Sequence, residues 1–251
     1  MTVRVAVSGK GGTGKTTFSA LLVRILVEAG RQPVLAIDAD PNSCLGLALG
    51  TKVCGTIGGI REELLREKDS LPPGLTKAQY IELKVRGAIA EEARYDLLVM
   101  GRPEGAGCYC YVNSVLRTFM DSLGEGYPYV VMDNEAGLEH LSRRTTNNID
   151  VLFVMADRSR VAIESAARVR DLAREMRLNV GAVHLVVNRT QRAEDVAKVA
   201  SEFGWSELET VPPDPEVDSA AIAGRGIFEL ATSSAAYQSV RAIARRWVPG
   251  L

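Results

Sequence analysis

Gly9-Lys10-Gly11-Gly12-Thr13-Gly14-Lys15-Thr16 is the stretch that decides the fold. It runs glycine, four residues, then Gly-Lys-Thr, which is the frame of a phosphate-binding loop. The β-branched run Val3-Arg4-Val5-Ala6-Val7 leads in, and from 15 to about 29 the apolar spacing is that of an amphipathic helix. Strand, glycine-rich loop and helix in that order are the context such a loop requires. Gly9, Gly11, Gly12 and Gly14, with Thr13 among them and Thr17 just inside the helix, let backbone N–H groups close around phosphate oxygens. The helix N-terminus adds positive potential, Lys15 reaches the terminal phosphates, and Thr16 can ligate Mg²⁺. The segment predicts a nucleoside triphosphate site. Lys10 adds a second ammonium near the β- and γ-phosphates, useful where triphosphate charge must be neutralised without an arginine finger.

The bulk properties agree with one large α/β domain over residues 1–251, since such folds commonly run ~200–250 residues undivided. Thirty basic residues against 31 acidic ones give a formal charge of −1 with no charge run, so no nucleic-acid partner is expected. Apolar runs such as 151–156 are strand-length, far short of the ~18 residues that span a membrane, and the N-terminus lacks a signal-peptide pattern. Four cysteines, two of them one residue apart, fit a reducing compartment with metal or redox chemistry. A cytoplasmic protein without a membrane partner is expected.

Short apolar runs at 3–8, 34–38, 97–101, 129–133, 151–156, 183–188 and 210–212 read as strands, with helical patterns between several of them, as at 161–177 and 193–202. Near-continuous Val, Leu and Ile runs indicate strands buried on both faces, hence a mainly parallel, doubly wound sheet with helices on both sides. Its ligand belongs at the C-terminal ends of the strands. Residues 51–93 read as a variable surface excursion, and 233–251 as a C-terminal helix and tail docked on the domain.

Acidic residues stand at those strand ends. Asp38 and Asp40 follow the second strand, where two carboxylates can hold Mg²⁺ waters and orient a hydrolytic water, although either can also cap the turn before Pro41. Asp133 closes another strand and is the expected Mg²⁺ partner of Thr16. Asn188 and Arg189 end a later strand, and Pro212 follows the next. An asparagine carries both a donor and an acceptor, which suits the edge of adenine, but strand-ending asparagines are also common in turns.

The second strong signal is Gly107-Cys108-Tyr109-Cys110. In an extended segment residues i and i+2 point the same way, so both sulfurs face one side. Two thiolates cannot close a four-coordinate site, whereas a two-fold homodimer would gather four sulfurs suited to Zn²⁺ or a comparable borderline-soft ion. Cys44 is expected to be a small buried hydrophobe, and Cys54 has no assignment. His140 and His184 are expected to be hydrogen-bonded structural histidines.

The loop form Gly-Lys-Gly-Gly-x-Gly-Lys-Thr resembles the deviant loop of the MinD/ParA and nitrogenase-iron-protein superfamily of ATPases. The order of loop, Asp38-Ala39-Asp40-Pro41-Asn42-Ser43-Cys44-Leu45-Gly46, Cys108-Tyr109-Cys110 and Glu135-Ala136-Gly137-Leu138-Glu139-His140-Leu141 is similar to that of CooC-type proteins. These are dimeric ATPases that help insert nickel into carbon monoxide dehydrogenase or the related acetyl-CoA synthase. The resemblance implies ATP as the nucleotide and Lys10 reaching the partner subunit's nucleotide. It gives Asp40 to the attacking water and Asp38 to the metal shell, and makes Gly137 part of a second switch. Asn188 and Pro212 would flank adenine, and Cys108 and Cys110 would bind one metal ion at the dimer interface. Thr13 in place of a usual valine and Asn134 in place of methionine are the departures. An electron-transfer protein with a bridging Fe–S cluster is the second reading, weakened because 133–141 contains no cysteine. A MinD/ParA-type positioning ATPase is the third. It would leave the cysteine pair without a role, and the C-terminal Arg241, Arg245 and Arg246 end in a proline-broken tail.

Overall fold

Apolar runs too short for helices and without polar alternation become the inner strands of one sheet. The computed structural model describes residues 2–66, 74–102, 123, 125–135 and 148–251. In chain order the elements are β1 (Val3–Gly9), α1 (Lys15–Glu28), β2 (Val34–Ala39), α2 (Leu45–Leu49), α3 (Ile57–Arg66), α4 (Lys77–Ala88), β3 (Ala90–Glu91), β4 (Tyr95–Val99) and β5 (Tyr129–Asn134). There follow β6 (Asn148–Ala156), α5 (Arg160–Glu175), β7 (Asn179–Asn188), α6 (Glu194–Glu202), β8 (Leu208–Val211), α7 (Pro215–Ile222), a 3-10 turn (Ile227–Glu229) and α8 (Ala235–Trp247). The eight strands lie in the order β3-β4-β2-β5-β1-β6-β7-β8, and every pairing is parallel except that of β3 with β4.

Both faces of the sheet are covered, and the alternation shows it. On β6, Leu152, Val154 and Ala156 join one core layer while Val151, Phe153 and Met155 join the other. Each layer removes apolar area from water at about 25 cal/mol per Å², which is why these strands read as unbroken hydrophobic runs. α1 supplies the second layer with Phe18, Leu21, Leu22, Ile25 and Leu26, and Phe18 meets the Phe153 ring edge-on at 5.2 Å. Arg24 sits in the same helix at 3% exposure. Its guanidinium donates to the Ile227 and Leu230 carbonyls at 2.8 Å and to Glu28 at 2.7 Å, which ties the C-terminal segment to α1. α8 then packs Tyr237, Val240, Ile243 and Ala244 into that layer.

The strand ends differ from expectation by a few residues, and residues 51–93 differ more. Instead of a surface excursion, their described part contributes α3 and α4, whose Ile57, Ile60, Leu64, Ile81 and Val85 are buried in the first core layer. The edge strand β3 follows them.

The chain crosses from β1 to β2, works outward to β4, and returns to place β5 between β1 and β2 before adding β6, β7 and β8 on the other side. That reversal opens a crevice at the C-terminal ends of β1, β2 and β5, the place where parallel sheets bind ligands.

Candidate nucleotide site

β1 ends at Gly9, where φ is +138° and a β-carbon would stand 2.2 Å from the Met155 carbonyl oxygen. Gly14, the N-cap of α1, has φ +92°, and a β-carbon there would meet Asn188 Nδ2 at 2.1 Å. Both positions need glycine for conformation and for space. No side chain caps α1. Its first N–H groups are therefore presented to the loop, and phosphate oxygens are the acceptors that suit them. Gly11 and Gly12 are exposed on the loop, with Thr17 in the first turn behind them.

Inside the loop the Thr13 hydroxyl donates to the Lys10 carbonyl at 2.8 Å, and the Lys15 ammonium reaches the same oxygen at 3.5 Å. The second contact is at the outer limit of a hydrogen bond, so a phosphate oxygen can readily replace it. Lys15 is 7% exposed, whereas Lys10 stands in solvent. Lys10 and Arg189 both act on Asp157 beyond β6. Burial raises that carboxyl, but hydrogen bonds from Ser159 and then the two cations hold it below the usual carboxylate range.

Asp133, at the end of β5, is 1% exposed and receives the Thr16 hydroxyl at 2.6 Å and the Ser19 hydroxyl at 3.1 Å. Ser19 was not singled out in the sequence. Its signal was the spacing, because Thr16 and Ser19 are three residues apart on one helix face. Asp38 lies directly across the β2–β5 pairing from Asp133. Its two oxygens accept the backbone N–H groups of Asp40 at 3.1 Å and Leu45 at 2.8 Å. Burial pushes the Asp38 carboxyl up to about 7, with the charge of Asp133 adding to the rise. Burial likewise lifts Asp133 to about 6 against the Thr16 and Ser19 hydrogen bonds and the nearby Lys15. Two desolvated carboxylates side by side, with a hydroxyl on one of them, form a hard oxygen donor set that suits a divalent cation. Among the described residues no three His, Cys, Asp or Glu side chains are gathered tightly enough to hold a metal alone. Mg²⁺ takes one or two carboxylates and completes its shell with phosphates and water.

Asp40 is half-buried, and its Oδ1 accepts from both the backbone and the side chain of Asn42 at 2.9 Å. The capping role weighed for these two aspartates is thus present in both. Cys44 departs from expectation. It is exposed, at the rim of the acidic group, and burial followed by Asp38, Asp40 and Asp133 raises its thiol pKa. It is a protonated thiol rather than an activated thiolate. Cys54 is also exposed. His184 is not hydrogen-bonded through Nε2 but stacks on Trp247 at 3.8 Å, and burial lowers its pKa.

A cleft of about 150 Å³ opens beside the loop, lined by Thr17, Asn188, Arg189, Pro212, Pro213 and Val217 among others. Asn188, the residue expected to read adenine, is engaged elsewhere. Its Nδ2 donates to the Thr13 carbonyl at 2.9 Å and its Oδ1 accepts the Arg189 N–H at 2.9 Å. One amide hydrogen and one lone pair remain. In this chain Asn188 first braces the phosphate loop. Cys108, Cys110, Gly137 and His140 lie outside the described residues.

The sequence profile of the CobQ/CobB/MinD/ParA nucleotide-binding domain matches residues 5–227. An uncharacterised ATP-binding protein of Methanocaldococcus jannaschii is 42% identical over 246 residues, 96% of this chain and 97% of its own. The carbon monoxide dehydrogenase accessory protein CooC of Rhodospirillum rubrum is 27% identical over 242 residues, 91% of this chain and 90% of its own. The solved ParA family ATPase of Chlorobium tepidum TLS superposes with a TM-score of 0.70 over 97% of this chain and 98% of that one. At 19% identity this last likeness is one of fold.

Proposed function

The chain belongs to the CobQ/CobB/MinD/ParA nucleotide-binding family and is an ATPase of the MinD/ParA type, and on that premise we propose that it is an ATP-dependent nickel metallochaperone. It would act as a cytoplasmic homodimer and deliver nickel to carbon monoxide dehydrogenase or a related enzyme such as acetyl-CoA synthase. The observation that carries the reading is Cys108-Tyr109-Cys110 in a chain whose similarity to a carbon monoxide dehydrogenase accessory protein runs over nine-tenths of both lengths.

Thr16 and Asp133 would hold Mg²⁺, which when bound neutralises triphosphate charge. The chain's own residues do the rest. The loop amides and Lys15 cradle the phosphates, Lys10 extends into solvent toward a second protomer, and Asp40 holds the attacking water. Asp38 fixes the turn that positions Asp40 through its bonds to the Asp40 and Leu45 amides. Arg189 and Pro212 frame the base, and Asn188 braces the phosphate loop beside it. Closure of two protomers around ATP would bring both Cys108/Cys110 pairs together on the nickel cargo, and hydrolysis would relax them.

The test is metal and sulfide content per protomer on anaerobically purified chain, with a Cys108→Ala/Cys110→Ala variant beside it. The expected result is about half an equivalent of nickel or zinc, no sulfide, and loss of metal in the variant. Roughly two irons and two sulfides per protomer would instead make this an electron-transfer protein. Metal retained by the variant would remove the cysteines from the account altogether.

A further inference from the structure

β7 is longer than its outer neighbour. It spans Asn179–Asn188 and pairs along its inner edge with β6, but β8 joins only at Leu185. Over residues 179–184 the outer edge has no strand partner among the described residues. Open edges are commonly guarded by lysine, proline or a bulge. Asn179-Val180-Gly181-Ala182-Val183-His184 has neither residue, and its pairing with β6 follows regular register.

A cleft of about 500 Å³ runs along this edge. Both tryptophans of the chain, Trp205 and Trp247, line it, together with His184, Arg170, Arg174 and Glu207. Tryptophan and arginine are the residues that most often anchor protein contacts. Trp205 is 6% exposed, and its Nε1–H, buried in the cleft wall, has no acceptor; His184 Nε2 is likewise buried and unpartnered. Buried polar atoms are nearly always paired, so two orphans beside one cleft are unusual. Arg170 is already engaged, by Asp171 at 2.9 Å and by the Gly204 carbonyl at 3.0 Å, and the lining carboxylate Glu207 is held by Arg246. The loosely paired charge of the cleft is therefore Arg174, 3.9 Å from Asp171 with 74% of its side chain exposed.

We propose that this edge is a docking site for an extended, acidic peptide segment of a partner protein, which adds as a strand beside residues 179–184. Main-chain hydrogen bonds along the open edge supply the binding, and alternate side chains supply the selectivity. A carboxylate on the segment faces Arg174, and an acceptor on the segment takes the Trp205 N–H, beside the Arg170 guanidinium that lies 4.7 Å from the indole centroid. The site lies on the N-terminal half of β7, at the opposite end of the sheet from the nucleotide crevice. It therefore stands whether or not the nickel reading does.

The experiment is selection of displayed random peptides of roughly ten residues, enough to pair along such an edge at ~3.3 Å per residue, against the full chain. Selected peptides are then re-bound to the Arg174→Glu variant and mapped by amide hydrogen exchange. Arg174 is solvent-exposed and outside the nucleotide machinery, so the variant should fold and hydrolyse ATP as the parent does. The expected winners are acidic, β-branched and free of proline. They should bind Arg174→Glu at least ten-fold more weakly and protect amides within 179–184. A Trp205→Phe variant, which keeps an aromatic though smaller side chain and removes the donor, should also bind them more weakly. Winners indifferent to charge reversal, protection elsewhere, or an empty selection would each overturn the proposal. So would concentration-dependent protection of 179–184 in the chain alone, which would give the edge to a second copy.

Discussion

Asn188→Ala separates a residue that reads the base from one that braces the phosphate loop. The structure gives Asn188 one bond to the loop, Nδ2 to the Thr13 carbonyl at 2.9 Å, and one to the Arg189 N–H at 2.9 Å. Alanine removes both and leaves space beside Gly14, whose α-carbon is packed so closely that a β-carbon would fall 2.1 Å from the amide nitrogen. A bond of this kind contributes about 0.5–1.5 kcal/mol net, because water can take over part of it. The loop bond is the one that shapes the phosphate cradle, so its loss should weaken triphosphate binding by roughly two- to twelve-fold. The brace acts on Thr13, which lies under the phosphates, and it cannot know which base is attached.

Isothermal titration of the parent and Asn188→Ala with ATP, GTP and inorganic triphosphate supplies the assay. The expected pattern is one common factor of loss for all three ligands. Asn188→Asp should be worse than alanine, because it turns an oxygen toward the Thr13 carbonyl where a donor stood. A loss confined to ATP, with GTP and triphosphate unchanged, would refute the brace and return Asn188 to the adenine edge.

Two further outcomes follow from the acidic pair. Ser19→Ala removes the donor 3.1 Å from Asp133 Oδ1 and leaves Thr16 on the other oxygen. Mg²⁺-dependent ATP affinity should fall by roughly two- to twelve-fold, with binding in chelator unchanged, as titration with and without Mg²⁺ would show. Asp38 and Asp133 titrate near 7 and 6 in the folded chain, above their ordinary range. The folded state then binds more protons than the unfolded between about pH 4 and 7, so these groups add stability as pH falls through that window. Urea midpoints in chelator should be higher near pH 5 than near pH 8, and MgATP should shrink the difference. A midpoint that rises with pH in chelator would mean that the pair is not desolvated as described. Below about pH 4 the sign reverses, because Asp157 and Asp214 have lowered pKa values and lose their hydrogen bonds on protonation.

The sequence carried the nucleotide half of the molecule because its physics is local. A glycine-rich loop between a β-branched run and an amphipathic helix admits few structures, and strands buried on both faces announce themselves as unbroken apolar runs. What it hid was tertiary. Residues 57–66 read only as part of a surface excursion, yet they form α3. A β-carbon on Gly58 would stand 2.5 Å from the Arg102 carbonyl, so the glycine records a close backbone approach that no local pattern shows. β6 and β7 begin before their apolar runs, at Asn148 and Asn179, and take in Asn148, Asp150, Asn179 and Gly181, which are poor strand formers. They are exposed and lie beyond the core, where sheet pairing rather than hydrophobicity keeps them extended. The brace made by Asn188 was equally invisible, since it joins residues 175 positions apart.

The same non-local bonds show how the nucleotide crevice and the cysteine pair can be joined. Asp38 is the hub. Its side chain holds the Asp40 and Leu45 amides, and its backbone carbonyl accepts the Met100 N–H at 2.8 Å. The Met100 carbonyl in turn accepts the Gly58 N–H at 2.8 Å. The chain turns at Gly101 with φ +67° and leads into the segment that carries Cys108 and Cys110. A rearrangement of the turn after β2, if ATP binding or hydrolysis brought one about, would reach Met100 just after β4 through one backbone hydrogen bond. This adjacency is geometric and becomes coupling only if both ligands bias the same two arrangements. Coupling is reciprocal, so ATP that tightens metal binding must itself be tightened by metal to the same factor. Measuring both affinities, each with and without the other ligand, closes that cycle. Equal factors above one would make the Asp38–Met100 contact the place to look for the moving part. Factors of one would leave the two sites as independent tenants of one fold.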